Sequence, residues 1–546
     1  MNWQERFNQY LTPKRQRVFL IALLIIYAFF LTYKINGPFI GTSEAFSGMY
    51  GIAAWNWLIH GPIELKFTMM TPYGTQVILP EITKTFFLNH PSFFIAPTAF
   101  LYWLFGVGEW QTRLSPIIFS LISLAVFWTL IERVFKTPWL TAISSLFYIF
   151  FPMGIFYGRM LTHDPIALFF ILALFLAVIL YEQKKSGGYL ATIGIVTFLG
   201  GLTDWQFFFA AAAVWLYIAF KRDYPKRRLA LVLIPSILAA SLGVTLLQIW
   251  GIAHTNPFAF LKSIFFDRTG GFSFSVIPLF LLMRLNFDLI GFSEVGLLLA
   301  LVGAIFYLKE NKKNAPKLLF AALLIAPGFL TYLIFYSHAS GHQFMGLYFI
   351  PPIALLAAWG IGRVRNSWHA GALLLVFLAS SAWYASNLFA YQSFDPKDFE
   401  MLKRARASVP PEESICMGEN SVNTNIKFYL FPHQLNDAPC PTDSYFVLRR
   451  PESYAQKDPS FSLLQTFFTN TFRQNVHRIS FLAAAGMEMG KSLPWLKHKI
   501  ERVFANHDPH ADYALYAVQI QSLIEKHNLR PADCSPNFCL YISEKQ

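Results

Sequence analysis

The feature that most constrains this chain is a series of apolar stretches, each near the length of a bilayer-crossing helix, separated by short clusters of Lys and Arg. A helix needs about 20 apolar residues to cross the hydrocarbon core. Stretches at about 17–36, 113–132, 138–157, 165–182, 189–204, 206–221, 229–250, 293–309, 317–336, 344–361 and 369–390 meet or approach that length. The pattern predicts an α-helical polytopic membrane protein. Its charged fraction of 14% sets it apart from soluble domains, which average about 25%. The net charge of +13 lies in clusters between apolar runs. That is the signature of cytoplasmic loops, and it leaves no basic face for nucleic acid.

Two further apolar stretches, Pro91–Val107 and Val276–Phe292, do not read as ordinary spans. The first is short and carries Pro91 and Pro97; the second holds Arg284 and Asp288 on one helical face. With both in the membrane plane, eleven spans remain, the N-terminus is cytoplasmic, and the basic clusters, including KRDYPKRR at 221–228, all face inward. Making Pro91–Val107 a full span would turn that cluster outward. The in-plane reading predicts amphipathic helices roofing a cavity at the outer leaflet. The N-terminal MNWQERFNQYLTPKRQR lacks a small-residue cleavage site, so the first helix is read as retained.

Residues 1–390 are therefore expected to form the transmembrane domain and 391–546 an extracytoplasmic soluble domain. In the latter, SICMG and SYFVL read as strands, and PKDFEMLKRARAS and ALYAVQIQSLIEKHN as helices, giving an α/β or α+β domain. All four cysteines, Cys416, Cys440, Cys534 and Cys539, fall there. An even number in one soluble domain points to disulfides in an oxidising space, with Cys534–Cys539 and Cys416–Cys440 preferred on proximity. A four-cysteine zinc site has no CxxC pair to support it.

The predicted outer loops collect the titratable residues. The first supplies Glu44, His90, Glu109 and Arg113; the loop YGRMLTHDP supplies Arg159, His163 and Asp164. A later loop supplies His254, Asp267 and Arg268, and the turn before 344 supplies His338 and His342. Carboxylates from two loops on one cavity suit a general base and its orienting partner, and arginines suit a phosphate. Each has a plainer reading. Glu44 can cap the first span, Glu109 and Arg113 can pair four apart on a helix, and the histidines can be ordinary loop residues. These side chains can also hold a divalent metal, but no spacing is diagnostic.

Taken in order, NHPSFFIAPTAFLYWLFGVGEWQTRLSPIIFSLISL, YGRMLTHDPIALFFILAL, GLTDWQFFFAA and HQFMGLYFIPPIALLAAWG resemble the multi-pass GT-C glycosyltransferases. That group includes protein O-mannosyltransferases and the aminoarabinose transferases of lipid A. The resemblance spans about 35–390. It implies a polyprenyl-phosphate-linked sugar as donor, an exported lipid, glycan or protein as acceptor, and a cavity at the outer face of the cytoplasmic (inner) membrane. It also implies an acidic residue of the first outer loop as general base. The family's Asp-Glu pair stands here as Ser43-Glu44, and its second Pro after His90 is Ser92. Glu44 and Asp164 are thus the expected catalytic residues. His90, Arg113, Arg159, His163, His254, Arg268 and His342 are the expected substrate-binding ones. Two other classes stay open on the residues alone: a lipid or solute transporter or flippase, and an inactive envelope-assembly protein of the same fold.

Overall fold

The apolar stretches fold as helices throughout. The computed structural model describes residues 3–39, 43–71, 86–254, 256–269, 277–390 and 396–409. Beyond these it describes 415–417, 428–430, 435–437, 445–449, 524–525, 529–534 and 538–543. The chain divides into two units: Met1–Phe39 with Met49–Phe389, and Ile40–Gly48 with Ala390–Gln546.

In the first unit every expected span falls on helix. Among the described residues seven segments are long and apolar enough to cross a membrane: Pro13–Thr32, Glu109–Phe135, His163–Lys184, Arg227–Ala253, Ala315–Ile334, Gln343–Ile361 and Ser367–Ala390. The remaining expected spans differ. Gly187–Gly201 and Gln206–Phe220 have 15 residues each, and 138–157 breaks at Phe151 into Pro138–Phe150 and Pro152–Tyr157. A 15-residue helix is about 23 Å long against a hydrocarbon core of about 30 Å. The stretches read from the sequence, 189–204 and 206–221, are already about this short; the break of 138–157 at Phe151 is what the structure adds.

The two problem stretches behave differently from spans as well. Phe93–Phe105 is a short apolar helix. Arg284–Phe292 meets the following Glu294–Asn311 at 98°. The corner is Ser293, with φ 58°, whose Oγ accepts from Gly296 N at 3.2 Å and caps the second helix. The stretch around Arg284 therefore turns away from the span that follows it.

Two glycines set the closest helix approach. A Cβ on Gly303 would lie 1.8 Å from the Leu356 carbonyl oxygen, and one on Gly360 would lie 2.2 Å from that of Leu299. Helices Glu294–Asn311 and Ile350–Ile361 thus touch backbone to backbone, the small-residue contact typical of membrane bundles. His163–Lys184, like Gln343–Ile361, is enclosed by the other helices along most of its length. Its first turn therefore lies inside protein and not at a solvent edge.

The second unit contains a mixed five-stranded sheet, in the order Leu435–Asp437, Ile415–Met417, Tyr445–Arg449, Phe538–Ser543, Leu529–Cys534. The first three are parallel and the last two pairings antiparallel. Helix Pro396–Ser408 buries Phe399, Met401, Leu402 and Ala405, the spacing of one helical face. The strands and first helix expected from SICMG, SYFVL and PKDFEMLKRARAS are present; most of ALYAVQIQSLIEKHN lies outside the described residues. Cys534 is disulfide-bonded, and its register partner across the ladder is Cys539. Cys440 lies outside the described residues.

Candidate active site

Four separate breaks in the helical bundle deliver polar side chains to one buried cluster. The turn between the short helices Gly187–Gly201 and Gln206–Phe220 carries Asp204, which is fully buried. Its Oδ1 accepts from Trp205 N at 2.8 Å and lies 3.2 Å from His90 Nδ1. Its Oδ2 accepts from the Tyr348 hydroxyl at 2.8 Å and lies 3.0 Å from His163 Nδ1. With its amide turned to donate, Gln206 reaches both oxygens as well. A buried carboxylate needs partners on every lone pair, and Asp204 has them.

His90 sits just before the 3-10 turn Phe93–Ile95. The carbonyl of the preceding Asn89 accepts from Trp205 Nε1 at 2.7 Å and from Arg268 Nη2 at 2.9 Å, which fixes the loop. Arg268 Nη2 also lies 2.7 Å from His90 Nε2. The rings of His90 and His163 stack at 3.9 Å. His163 and Asp164 open helix His163–Lys184, where the helix dipole favours negative charge. Asp164 Oδ2 is 3.4 Å from His163 Nδ1, and Asp164 is fully buried, yet no well-formed hydrogen bond reaches either of its oxygens.

The electrostatics follow from this wiring. Burial pushes the Asp204 carboxyl up, but the charge and hydrogen bond of His163, with those of His90, hold it well below the usual carboxylate range. His90 is held well below the usual histidine value by burial first, then by Arg268 and His163, against the pull of Asp204. Burial, together with the negative charge of Asp164, pushes the Tyr50 hydroxyl up, so it stays a neutral donor. The cluster thus sets a carboxylate locked in its ionised form beside a second one, Asp164.

Comparison with known proteins matches this architecture. Residues 89–250 fit the family profile of dolichyl-phosphate-mannose-protein mannosyltransferase. The structure of ArnT from Cupriavidus metallidurans bound to undecaprenyl phosphate superposes with a TM-score of 0.57 at 15% identity, covering 80% of this chain and 93% of that one. The chain has the GT-C fold. The apo form of the same ArnT gives a TM-score of 0.53 at 15% identity over the same shares of the two chains. The oligosaccharyltransferase AglB from Archaeoglobus fulgidus, in complex with an inhibitory peptide and a dolichol-phosphate, gives 0.50 at 13% identity, covering 77% of this chain and 64% of that one. No match is found among curated protein sequences.

Within the GT-C fold, the residues singled out from sequence separate into groups. His90, His163, Asp164 and Arg268 come together in the cluster. Arg113 and Arg159 are both buried and both serve the end of helix Pro13–Thr32. Arg113 donates to the carbonyls of Ile35 at 2.8 Å, Gly37, and Pro38 at 3.2 Å, and lies over the Phe39 ring. Arg159 donates to Tyr33 O and, at 3.3 Å, to Lys34 O. The two guanidinium groups thus donate to five carbonyls of the segment 33–38 that follows the helix. His254 is the exposed, left-handed C-cap of helix Arg227–Ala253. His342 stacks edge-on with His338 at 4.2 Å, and its carbonyl accepts from Arg284 at 3.0 Å. Glu44 belongs to the second unit, where it is buried just ahead of helix Ala45–His60.

Sequence reasoning missed Asp204, Tyr348 and Tyr50 as site residues. For Asp204 a signal existed: it is the lone charge in a four-residue loop, Thr203–Gln206, between two apolar runs. Tyr348 carries no such mark, being one aromatic among many.

His90, His163 and Asp204 each offer one donor atom, and these atoms lie within 4.8 Å of one another, a set compatible with a divalent cation. The GT-C cluster fits one poorly. Arg268 only donates, so His90 Nε2, 2.7 Å away, must accept, and the proton of a neutral His90 sits on Nδ1. That nitrogen then has no lone pair for a metal. A metal on Nδ1 would move the proton to Nε2, against the guanidinium.

Proposed function

We propose that this protein is a glycosyltransferase that moves a sugar from a polyprenyl-phosphate-linked donor to an exported acceptor at the outer face of the cytoplasmic membrane. The observation that carries the reading is Asp164: a wholly buried carboxylate at a helix start, 3.4 Å from His163 Nδ1 and beside a second carboxylate that is fully satisfied. The GT-C fold supports it, as do the undecaprenyl phosphate in the ArnT structure and the dolichol-phosphate in that of AglB. The charge pattern supports a cytoplasmic N-terminus and an extracytoplasmic C-terminal domain.

In this mechanism the acceptor oxygen or nitrogen attacks the anomeric carbon as the bond from that carbon to the phosphate oxygen breaks. The acceptor proton passes to Asp164 as general base. The polyprenyl phosphate leaves with the bonding electrons, and Arg268 offsets the charge that develops on it. A single displacement inverts the anomeric centre. Asp204 acts through others: it orients His163 and His90, and with them Arg268. Glu44 is the second carboxylate proposed to act in the reaction. The acceptor belongs to lipid A or lipopolysaccharide, another envelope glycan, or a protein.

Transfer from a radiolabelled polyprenyl-phosphate sugar in membranes tests the assignment. Asp164→Asn is expected to express normally and lose about 10²- to 10⁴-fold in rate, the range of a general base. Asp204→Asn leaves the donors around it facing a neutral amide and is expected to lower the amount of folded protein, at a cost of about 3–5 kcal/mol. Full activity in both Asp164→Asn and Glu44→Gln, with normal expression, would sink the proposed site.

A further inference from the structure

Helix Pro257–Thr269 has two apolar faces with different destinations. Its inner face carries Phe260 and Ile264, which pack with Leu88, Ile249, Ile252 and Ala253, and ends on buried Arg268 at His90. Its outer face carries Phe258, Ala259, Lys262, Phe265 and Phe266, positions that recur at helical spacing. The three phenylalanines there are 66%, 47% and 55% exposed. Soluble surfaces rarely present such a stripe, and here the Lys262 ammonium lies 5.9 Å from the Phe266 ring centre.

Chain length places this stripe. Helix Arg227–Ala253 is long and apolar enough to span a bilayer and is mostly unburied by protein, so its C-terminal end marks a membrane boundary. Pro257 follows four residues later, so helix Pro257–Thr269 starts within about 14 Å of that end. Headgroup and interfacial layers add about 5–8 Å on each side of the hydrocarbon core. The start is fixed further by Asn256, whose Oδ1 accepts from Phe258 N at 3.0 Å and Ala259 N at 3.4 Å. Aromatic side chains and a lysine on one face, at that depth, match the boundary between acyl chains and anionic headgroups.

We infer that Phe258, Lys262, Phe265 and Phe266 form a docking surface for anionic phospholipid, with the rings among the upper acyl chains and Lys262 at a headgroup phosphate. The in-plane stretches read from the sequence are Pro91–Val107 and Val276–Phe292, not this helix; the structure adds Pro257–Thr269 and shows what its inner face carries. Lipid on one side of this helix and the hydrophobic cluster on the other set where Arg268 meets His90. The bilayer interface is thereby part of what holds the cluster together.

Full-length protein carrying p-benzoylphenylalanine at position 258, 265 or 266, one at a time, is reconstituted in vesicles of phosphatidylethanolamine and phosphatidylglycerol and irradiated. Phospholipid adducts are expected at all three positions, joined at 265 by adducts to Phe335, whose ring lies 6.1 Å from that of Phe265, and protein adducts dominate when the probe replaces buried Phe260. In the same vesicles Lys262→Glu is expected to cut the phosphatidylglycerol share of the adducts severalfold while Lys262→Arg preserves it. Adducts to another part of this chain or to a second copy at 258 and 266, in place of phospholipid, would overturn the lipid assignment. An unchanged phosphatidylglycerol share in Lys262→Glu would overturn the headgroup contact. The readout is lipid contact alone, so it stands or falls apart from the transfer reaction.

Discussion

Arg268 Nη2 lies 2.7 Å from His90 Nε2, and that contact fixes where His90 keeps its proton. The ring donates from Nδ1 toward Asp204 Oδ1, 3.2 Å away, so a positive group, a neutral histidine and a locked carboxylate stand in line. The order matters chemically. The positive end offsets phosphate charge, and the ionised end anchors the relay in the helix bundle.

The contact carries two expectations, one for the variant and one for the unmodified protein. Arg268→Ala is expected to lower kcat/KM for the lipid-linked donor by about 10- to 100-fold, the worth of a hydrogen bond to a charged group. Transfer by the unmodified protein should survive a strong chelator, because the His90 tautomer that Arg268 selects has no lone pair on Nδ1 for a cation. Activity lost to chelation and restored by one divalent metal would show that His90 binds metal after all.

The same wiring predicts acid lability. A histidine in the unfolded chain takes up a proton near pH 6.5, whereas folded His90 is held well below that by burial, Arg268 and His163. Between those two values the unfolded chain binds more protons, so stability falls as pH falls. Asp204, depressed in the opposite sense of charge, keeps its contribution through this window and loses it only at much lower pH. The thermal midpoint of purified protein should be flat above about pH 7 and decline below about 6.5. His90→Gln should lower the plateau and shallow the decline; an unchanged slope would place the acid sensitivity elsewhere.

Arg113 and Arg159 should behave differently from Arg268, although all three are buried arginines near polar loops. Their guanidinium groups close the carbonyls that follow helix Pro13–Thr32. Arg159→Ala is expected to lose about 1–3 kcal/mol of stability from stranded acceptors, with donor KM unchanged in the protein that folds. Arg159→Lys should recover little, because a lysine lacks the planar fork that meets two carbonyls together. A raised KM with an unchanged thermal midpoint would return these residues to the phosphate.

Legibility in the sequence tracked how local each signal was. Helix positions were readable because a run of apolar residues is a local statement, and the basic clusters between runs reinforced it. The ends of Gly187–Gly201 and Gln206–Phe220 fell within a few residues of the stretches read at 189–204 and 206–221. His90, His163, Asp164 and Arg268 were readable as costly groups near membrane boundaries. Their convergence on Asp204 depends on residues 114 positions apart, which no local pattern records. Arg113 and Arg159 meet the same limit: a sequence shows that a buried arginine needs acceptors but not whether those are phosphates or carbonyls.

The contact between Gly303 and Leu356 offers a test of the bundle itself. A Cβ on Gly303 would fall 1.8 Å from the Leu356 carbonyl oxygen, which is main chain and cannot swing aside. Alanine is the better helix former by about 1 kcal/mol, so propensity alone favours Gly303→Ala. The steric term opposes it: helices Glu294–Asn311 and Ile350–Ile361 must separate, at a cost of about 1–3 kcal/mol or more. Gly243 and Gly371 supply the control, because a Cβ at either meets nothing within 4 Å. Gly303→Ala should lower the thermal midpoint in detergent, whereas Gly243→Ala and Gly371→Ala should leave it level or raise it. Equal effects at all three positions would mean that the backbone contact is not what joins these helices.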